Sequence, residues 1–214
     1  MKKYVLFDND GVLVDTEPWY YAAGERALAS IGLTLDRDRY VREMSRGGNT
    51  WAEAEERGVD AATIGRLRTM RDAYYQEYLR TEPIEIGGVT DVLAQLSGHV
   101  RMAIVTTARG EDFELIHAHR EICRYMEFVL VREDYARAKP DPEPYLTALA
   151  RFGARREEAL VVEDSSRGLA AAVAAGIDCA VVDNAFTAAQ DFSQATYRIR
   201  SLAELKDVIL GRTA

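Results

Sequence analysis

The chain has 214 residues, room for one ordinary domain with a smaller one inserted and a sizeable hydrophobic core. Apolar residues at 48% and charged residues at 29% describe a soluble globular protein, and no run of about 18 apolar residues is present to span a membrane. A net charge of −8 excludes the basic footprint of a nucleic-acid binder; an anionic ligand would need local positive charge, from a metal and a few basic side chains.

Lys2-Lys3 precedes an apolar run, Tyr4 to Phe7, that stops after four residues. No cleavage-site pattern follows, so a signal peptide is not expected and a cytoplasmic location is the default. The run reads as a buried strand. From Glu17 to about Ile84 no strand pattern occurs. Helical patterns cover Tyr20 to Ile31, Arg37 to Met44, Trp51 to Arg57 and Ala61 to Leu79. A block of this size cannot be a single crossover and reads as an inserted helical cap. Gly87-Gly88 is either its return hinge or a plain turn. Strands are then expected at Arg101 to Thr106, Glu127 to Val131, Ala159 to Val162 and Cys179 to Val182. Asp141-Pro142-Glu143 reads as a helix start, with Asp141 as capping acid and Leu146, Leu149 and Phe152 at helical spacing before Gly153. Ser166 to Ala175 is a second helix, ended by Gly176. Cys123 and Cys179 read as small buried hydrophobes. The last residues, Gly211 to Ala214, are expected to fray. Strands alternating with helices imply a mostly parallel sheet covered on both faces.

The chemistry gathers at the strand ends. The first strand runs into Asp8-Asn9-Asp10-Gly11, two acids placed to point the same way where an open parallel sheet binds ligands. Converging carboxylates repel unless a cation or a proton lies between them, and magnesium prefers oxygen ligands and couples to phosphate. Asp-Gly is also an ordinary turn. Thr106 and Thr107 end the second strand, where a hydroxyl can bond a phosphoryl oxygen or simply cap the strand. Lys139, in Ala138-Lys139-Pro140, can hold an anionic group or be a solvated loop residue. Glu163-Asp164 ends the strand Ala159 to Val162; two acids there call for a cation, or Asp164 caps the next helix.

In order, strand–DxDG, strand–Thr, Lys-Pro and strand–Glu-Asp together resemble the four-motif signature of the haloacid dehalogenase-like hydrolases, over nearly the whole chain. The helical block between the first and second motifs resembles the helical-cap (C1) subfamily, and within it the β-phosphoglucomutase-like phosphatases. The resemblance implies an α/β fold: a Rossmann-like parallel sheet core, residues 1–16 plus 85–214, with an inserted α-helical cap domain, residues 17–84. It implies Asp8 as nucleophile forming an aspartyl-phosphate, and Asp10 as general acid and then base. Thr106, Thr107 and Lys139 would fix the transferring group, with backbone amides after Asp8 joining them. Mg2+ would be held by Asp8, the Asp10 carbonyl and Asp164, with Glu163 close by or also ligating.

The acid at Asp10 argues against the dehalogenase and phosphonatase branches, which lack it. β-Phosphoglucomutases carry a histidine in the cap's first segment. Here that segment is Asp15-Thr16-Glu17-Pro18-Trp19-Tyr20-Tyr21, and His99, His117 and His119 lie too far along the chain to match it. The expected activity is therefore phosphatase action on a small phosphate ester, of the sugar or polyol phosphate class. A sugar-phosphate mutase and a non-catalytic phosphate-binding regulatory domain are the alternatives. Arg46 and Gly47, in Arg46-Gly47-Gly48-Asn49, are the candidates for substrate specificity in a cap that closes over the site; a plain helix–helix turn is the other reading. Trp19, Tyr20 and Tyr21 either line the cleft or pack, Tyr74, Tyr75 and Tyr78 pack the long cap helix, and Arg109 is a further candidate substrate contact. A monomer or homodimer is expected.

Overall fold

The computed structural model describes residues 2–46 and 48–210. They fall into two compact units: one from both ends of the chain, up to Asp15 and from Glu85 onward, and one spanning Thr16–Ile84.

The first unit is built on six parallel strands: β1 (Tyr4–Phe7), β2 (Arg101–Val105), β3 (Phe128–Leu130), β4 (Ala159–Glu163), β5 (Asp178–Val182) and β6 (Tyr197–Ile199). Their order in the sheet is β3-β2-β1-β4-β5-β6. The strands are nearly continuous apolar runs because both faces are covered. Leu6, Val105, Leu130, Val161 and Val181 join Phe152 in a core under two of the helices, while the alternate residues Val5, Phe7, Ile104, Leu160 and Val162 are fully buried as well. β1 lies at the centre, between β2 and β4, where the chain order reverses direction across the sheet. Crevices at such points bind ligands.

The helices of this unit are α5 (Val89–Leu96), α6 (Gly110–His117), α7 (Glu143–Phe152), α8 (Ser166–Ala175) and α9 (Leu205–Leu210), following α1 to α4 of the inserted unit. Gly153 and Gly176 end α7 and α8 in the left-handed conformation, as expected. Two details of α7 differ from expectation. Its N-cap is Pro142, and the Asp141 carboxylate instead accepts from the Glu143 amide at 2.9 Å. Leu146 faces outward, 36% exposed, because Tyr145 takes the inward position beside it. Gly88 opens α5 with φ +80, a backbone that favours glycine. β6 is a strand the sequence pattern does not announce: three residues with an arginine in the middle, at the edge of the sheet, where short charged strands are the rule.

The second unit holds α1 (Glu17–Ala29), α2 (Arg37–Ser45), α3 (Ala52–Glu56) and α4 (Ala61–Thr81). α1 starts earlier than its apolar pattern, because Pro18 and Glu17 suit a first turn. Its aromatics pack within the unit: Trp19 on Tyr78 at 5.7 Å, Tyr20 on Tyr75 at 5.0 Å, and Tyr21 on Tyr40 at 5.2 Å between ring centroids. No helix among the described residues is long and apolar enough to cross a membrane.

Candidate active site

Parallel register delivers the acidic residues to one level. Phe7 pairs with Ile104 on one side and Val162 on the other. One residue further on, Asp8 bonds the Val162 carbonyl through its amide at 2.9 Å, and Thr106 and Asp164 follow β2 and β4 at the same end of the sheet. After Asp8 the chain turns sharply at Gly11, φ +76. The amides of Val12, Leu13 and Val14 close on the Asn9 carbonyl, and that of Gly11 on the Val14 carbonyl.

Lys139 is buried, and its three protons are all engaged. It donates to Glu163 Oε1 at 2.7 Å, to Asp8 Oδ1 at 2.9 Å and to the Val105 carbonyl at 2.9 Å. Burial works against its charge, but Asp8 and Glu163 outweigh that and raise its pKa above the usual lysine value. Glu163 has no exposed surface. Burial alone would raise it, yet Lys139 and the hydroxyls of Tyr145 and Ser165, at 2.6 and 3.0 Å, hold it below its usual range. Asp8 goes the other way, to about 7: burial raises it, Lys139 opposes, and Glu163 and Asp10 push it further up. The Lys139 ammonium is thus shared between the Asp8 and Glu163 carboxylates. Thr106 Oγ1 donates to Asp10 Oδ2 at 3.2 Å and accepts from the Ala108 amide at 3.0 Å, while its carbonyl takes the Tyr135 hydroxyl at 2.6 Å. Thr107 is half-buried beside it.

Asp8, Glu163 and Asp164 each bring a carboxylate oxygen within 4.8 Å of the others. One ammonium stands against three carboxylates, with the Asp10 carboxyl close enough to raise Asp8 as well. An all-oxygen donor set with unbalanced negative charge fits a hard divalent cation. Glu163 is the least suited of the three to ligate, since both of its oxygens already accept hydrogen bonds. Asp164 is not the cap of α8; Ser165 is, accepting from the Gly168 amide at 3.1 Å.

Several contributors escape sequence reasoning. Tyr145 reads as one more apolar helix position. Gly168 does leave a signal: a glycine inside a helix is unfavourable and asks for a reason. A Cβ there would sit 1.8 Å from Glu163 Oε1, so only glycine admits that side chain. His117, which the spacing places far from any motif, lies beneath the first one: its Nε2 is 2.8 Å from Asn9 Oδ1 and donates to it. Burial, with Arg120 adding to it, lowers the His117 pKa to about 4. A histidine with pKa near 6.5 when unfolded binds its proton less well when folded, so stability falls as pH drops from about 6.5 toward 4. Urea unfolding across that window is expected to show a loss of ~2–3 kcal/mol from this residue. His117→Gln, which keeps a donor for Asn9, should flatten the slope, and an unchanged slope would refute the assignment.

Arg109 is tied to the first turn of its own helix, to Asp112 at 2.8 Å and Glu111 at 2.9 Å. Arg46 caps α2 of the inserted unit and is exposed. Gly47 lies outside the described residues, as do Gly211 to Ala214. Cys179 is in the β5 core, whereas Cys123 is only half-buried.

A sequence profile described as haloacid dehalogenase-like hydrolase matches residues 5–182, which carry all of this machinery. The chain belongs to the haloacid dehalogenase-like hydrolases. Among relatives in this family, a phosphorylated carbohydrates phosphatase of Thermotoga maritima is 32% identical over 181 residues, covering 81% of this chain and 82% of the relative. A phosphoglycolate phosphatase of Photorhabdus laumondii is 30% identical over 184 residues, 82% of this chain and 77% of the relative. Among solved structures, CbbY from Rhodobacter sphaeroides in complex with phosphate superposes with a TM-score of 0.79 at 25% identity, over 96% of each chain.

Proposed function

We propose that this haloacid dehalogenase-like hydrolase is a magnesium-dependent phosphatase that cleaves a small phosphate ester, of the sugar or polyol phosphate class, through an aspartyl-phosphate on Asp8. The chain is a phosphoric monoester hydrolase, in keeping with its family and with the phosphatases among its relatives. The observation that carries the finer reading is the Lys139 ammonium bridging Asp8 and Glu163 beside Asp10 and Asp164.

Asp8, the Asp10 carbonyl and Asp164 would hold the cation, with Glu163 anchoring Lys139 instead of ligating. Bound there, magnesium offsets the charge of the phosphoryl oxygens and keeps Asp8 ionised. An Asp8 oxygen attacks phosphorus and the bond to the ester oxygen breaks. Asp10 gives its proton to the departing oxygen and so releases an alcohol. The Asp10 carboxylate then takes a proton from water, whose oxygen attacks the same phosphorus. Phosphate leaves and Asp8 is regenerated. The Thr106 hydroxyl orients the Asp10 carboxyl through its 3.2 Å bond. Lys139 steadies the transferring group by turning one proton from Asp8 toward it. Residues 17–84 are assigned as the cap, with Arg46 and Gly47 contributing to substrate choice.

A phosphate-release screen over sugar, polyol and nucleotide phosphates and phosphoglycolate tests this. Release that requires magnesium, stops with a chelator and favours sugar or polyol esters supports it. Isomerisation of a sugar phosphate without release would support the mutase instead, and no turnover of any ester would leave a binding domain.

A further inference from the structure

Asp164 is held by a residue outside the four motifs. Asn184 lies two residues past β5 and is half-buried. Its Nδ2 donates to Asp164 Oδ2 at 2.9 Å and to the Gly11 carbonyl at 3.3 Å. Its own Oδ1 accepts from the Phe186 amide at 2.8 Å, so the loop that carries the side chain also fixes which way the amide faces. Gly11 comes so close to the same carboxylate that a Cβ on it would stand 1.9 Å from Asp164 Oδ2. One neutral amide therefore ties a buried carboxylate to the backbone next to Asp10.

We propose that Asn184 is a positioning residue for the divalent cation: it holds Asp164 and the Asp10–Gly11 turn in the arrangement that binds the ion, and so sets its affinity. This rests on the reading that Asp8, the Asp10 carbonyl and Asp164 are the ligands. The chemistry favours an amide at this place. A lysine or arginine would compete with the cation for Asp164, and an acid would repel the carboxylate it must steady. Partners of metal-ligating carboxylates act in this way, and their loss weakens metal binding by about 10–100-fold.

Calorimetric titration of magnesium into the metal-free protein tests the proposal, with wild type, Asn184→Ala and Asn184→Ser compared. The serine keeps an oxygen for the Phe186 amide but is one bond shorter and lacks the separate Nδ2 that donates to Asp164 and Gly11, so it is the variant to read if the alanine form does not fold. Both variants are expected to bind magnesium roughly 10–100-fold more weakly. The magnesium concentration for half-maximal turnover should rise by the same factor, while the melting temperature of the metal-free protein stays at the wild-type value. A folded variant that binds as tightly as wild type overturns the role of Asn184. Loss of the fold in both variants also overturns it, since the residue would then be structural. Wild type that binds no magnesium would instead overturn the assignment of the cation site.

Discussion

Asp8→Asn is expected to reduce phosphate release from an aryl phosphate by on the order of 10⁴-fold or more, because the amide is neutral and cannot attack phosphorus. The loss should come without damage to the fold. Asparagine keeps an oxygen for the Lys139 ammonium, 2.9 Å away in the wild type. Burial pushes the Asp8 carboxyl up to about 7, which means the folded protein resists its negative charge. That cost accrues as pH rises from about 4 to about 7 and is full above it; a neutral side chain removes it, so the metal-free variant should melt no lower than wild type at acid pH, and higher at pH 8. Asp8, the proposed nucleophile, is by this account a residue whose charge the fold tolerates at a cost in stability. A variant that turns over at full rate would sink the assignment. A variant that is inactive because it has unfolded would sink the account of its electrostatics.

Lys139→Met is expected to fail in the opposite way, in stability first. Lys139 is buried against Glu163, which has no exposed surface, and against Asp8, whose side chain is 14% exposed. Removing one partner of a buried ion pair leaves the other charge uncompensated, at about 3–5 kcal/mol. For a chain of this size each kcal/mol lowers the melting temperature by roughly 2–4 °C, so a fall of about 6–20 °C should appear in thermal unfolding. Turnover at a temperature where the variant is folded should also fall by about 10²–10³-fold, the usual loss on removing a group that stabilises developing charge. Wild-type stability would show that the bridge contributes nothing net. Wild-type turnover would remove Lys139 from the chemistry.

The legible parts of this protein were those where burial or charge leaves a mark on consecutive residues. The central strands are apolar without interruption because helices cover both faces. Asp8, Asp10, Thr106 and Asp164 stand out because polar groups that directly follow such runs have to be accounted for. What stayed illegible depends on contacts across long separations. Tyr145 occupies an ordinary apolar position of α7, and only the fold shows its hydroxyl 2.6 Å from Glu163. Asn184 sits in a loop that mixes polar and apolar residues, with nothing local to mark it. His117 reaches Asn9 across more than a hundred residues, so no spacing argument could bring the two together. Glu163 was legible as a residue needing a cation, but not as one whose cation is chiefly an ammonium.

The turn after Asp8 has a consequence for how such proteins diversify. Val14 forms an antiparallel bridge to Glu85, just before the chain departs and just after it returns. The core therefore closes its own seam, and the 69 residues of Thr16–Ile84 hang from a stitched doorway, not from a gap in the sheet. Any foreign segment whose two ends lie a hydrogen bond apart could be grafted at that seam without disturbing the strands. The inserted unit could then be exchanged as a cassette while the six strands stayed as they were.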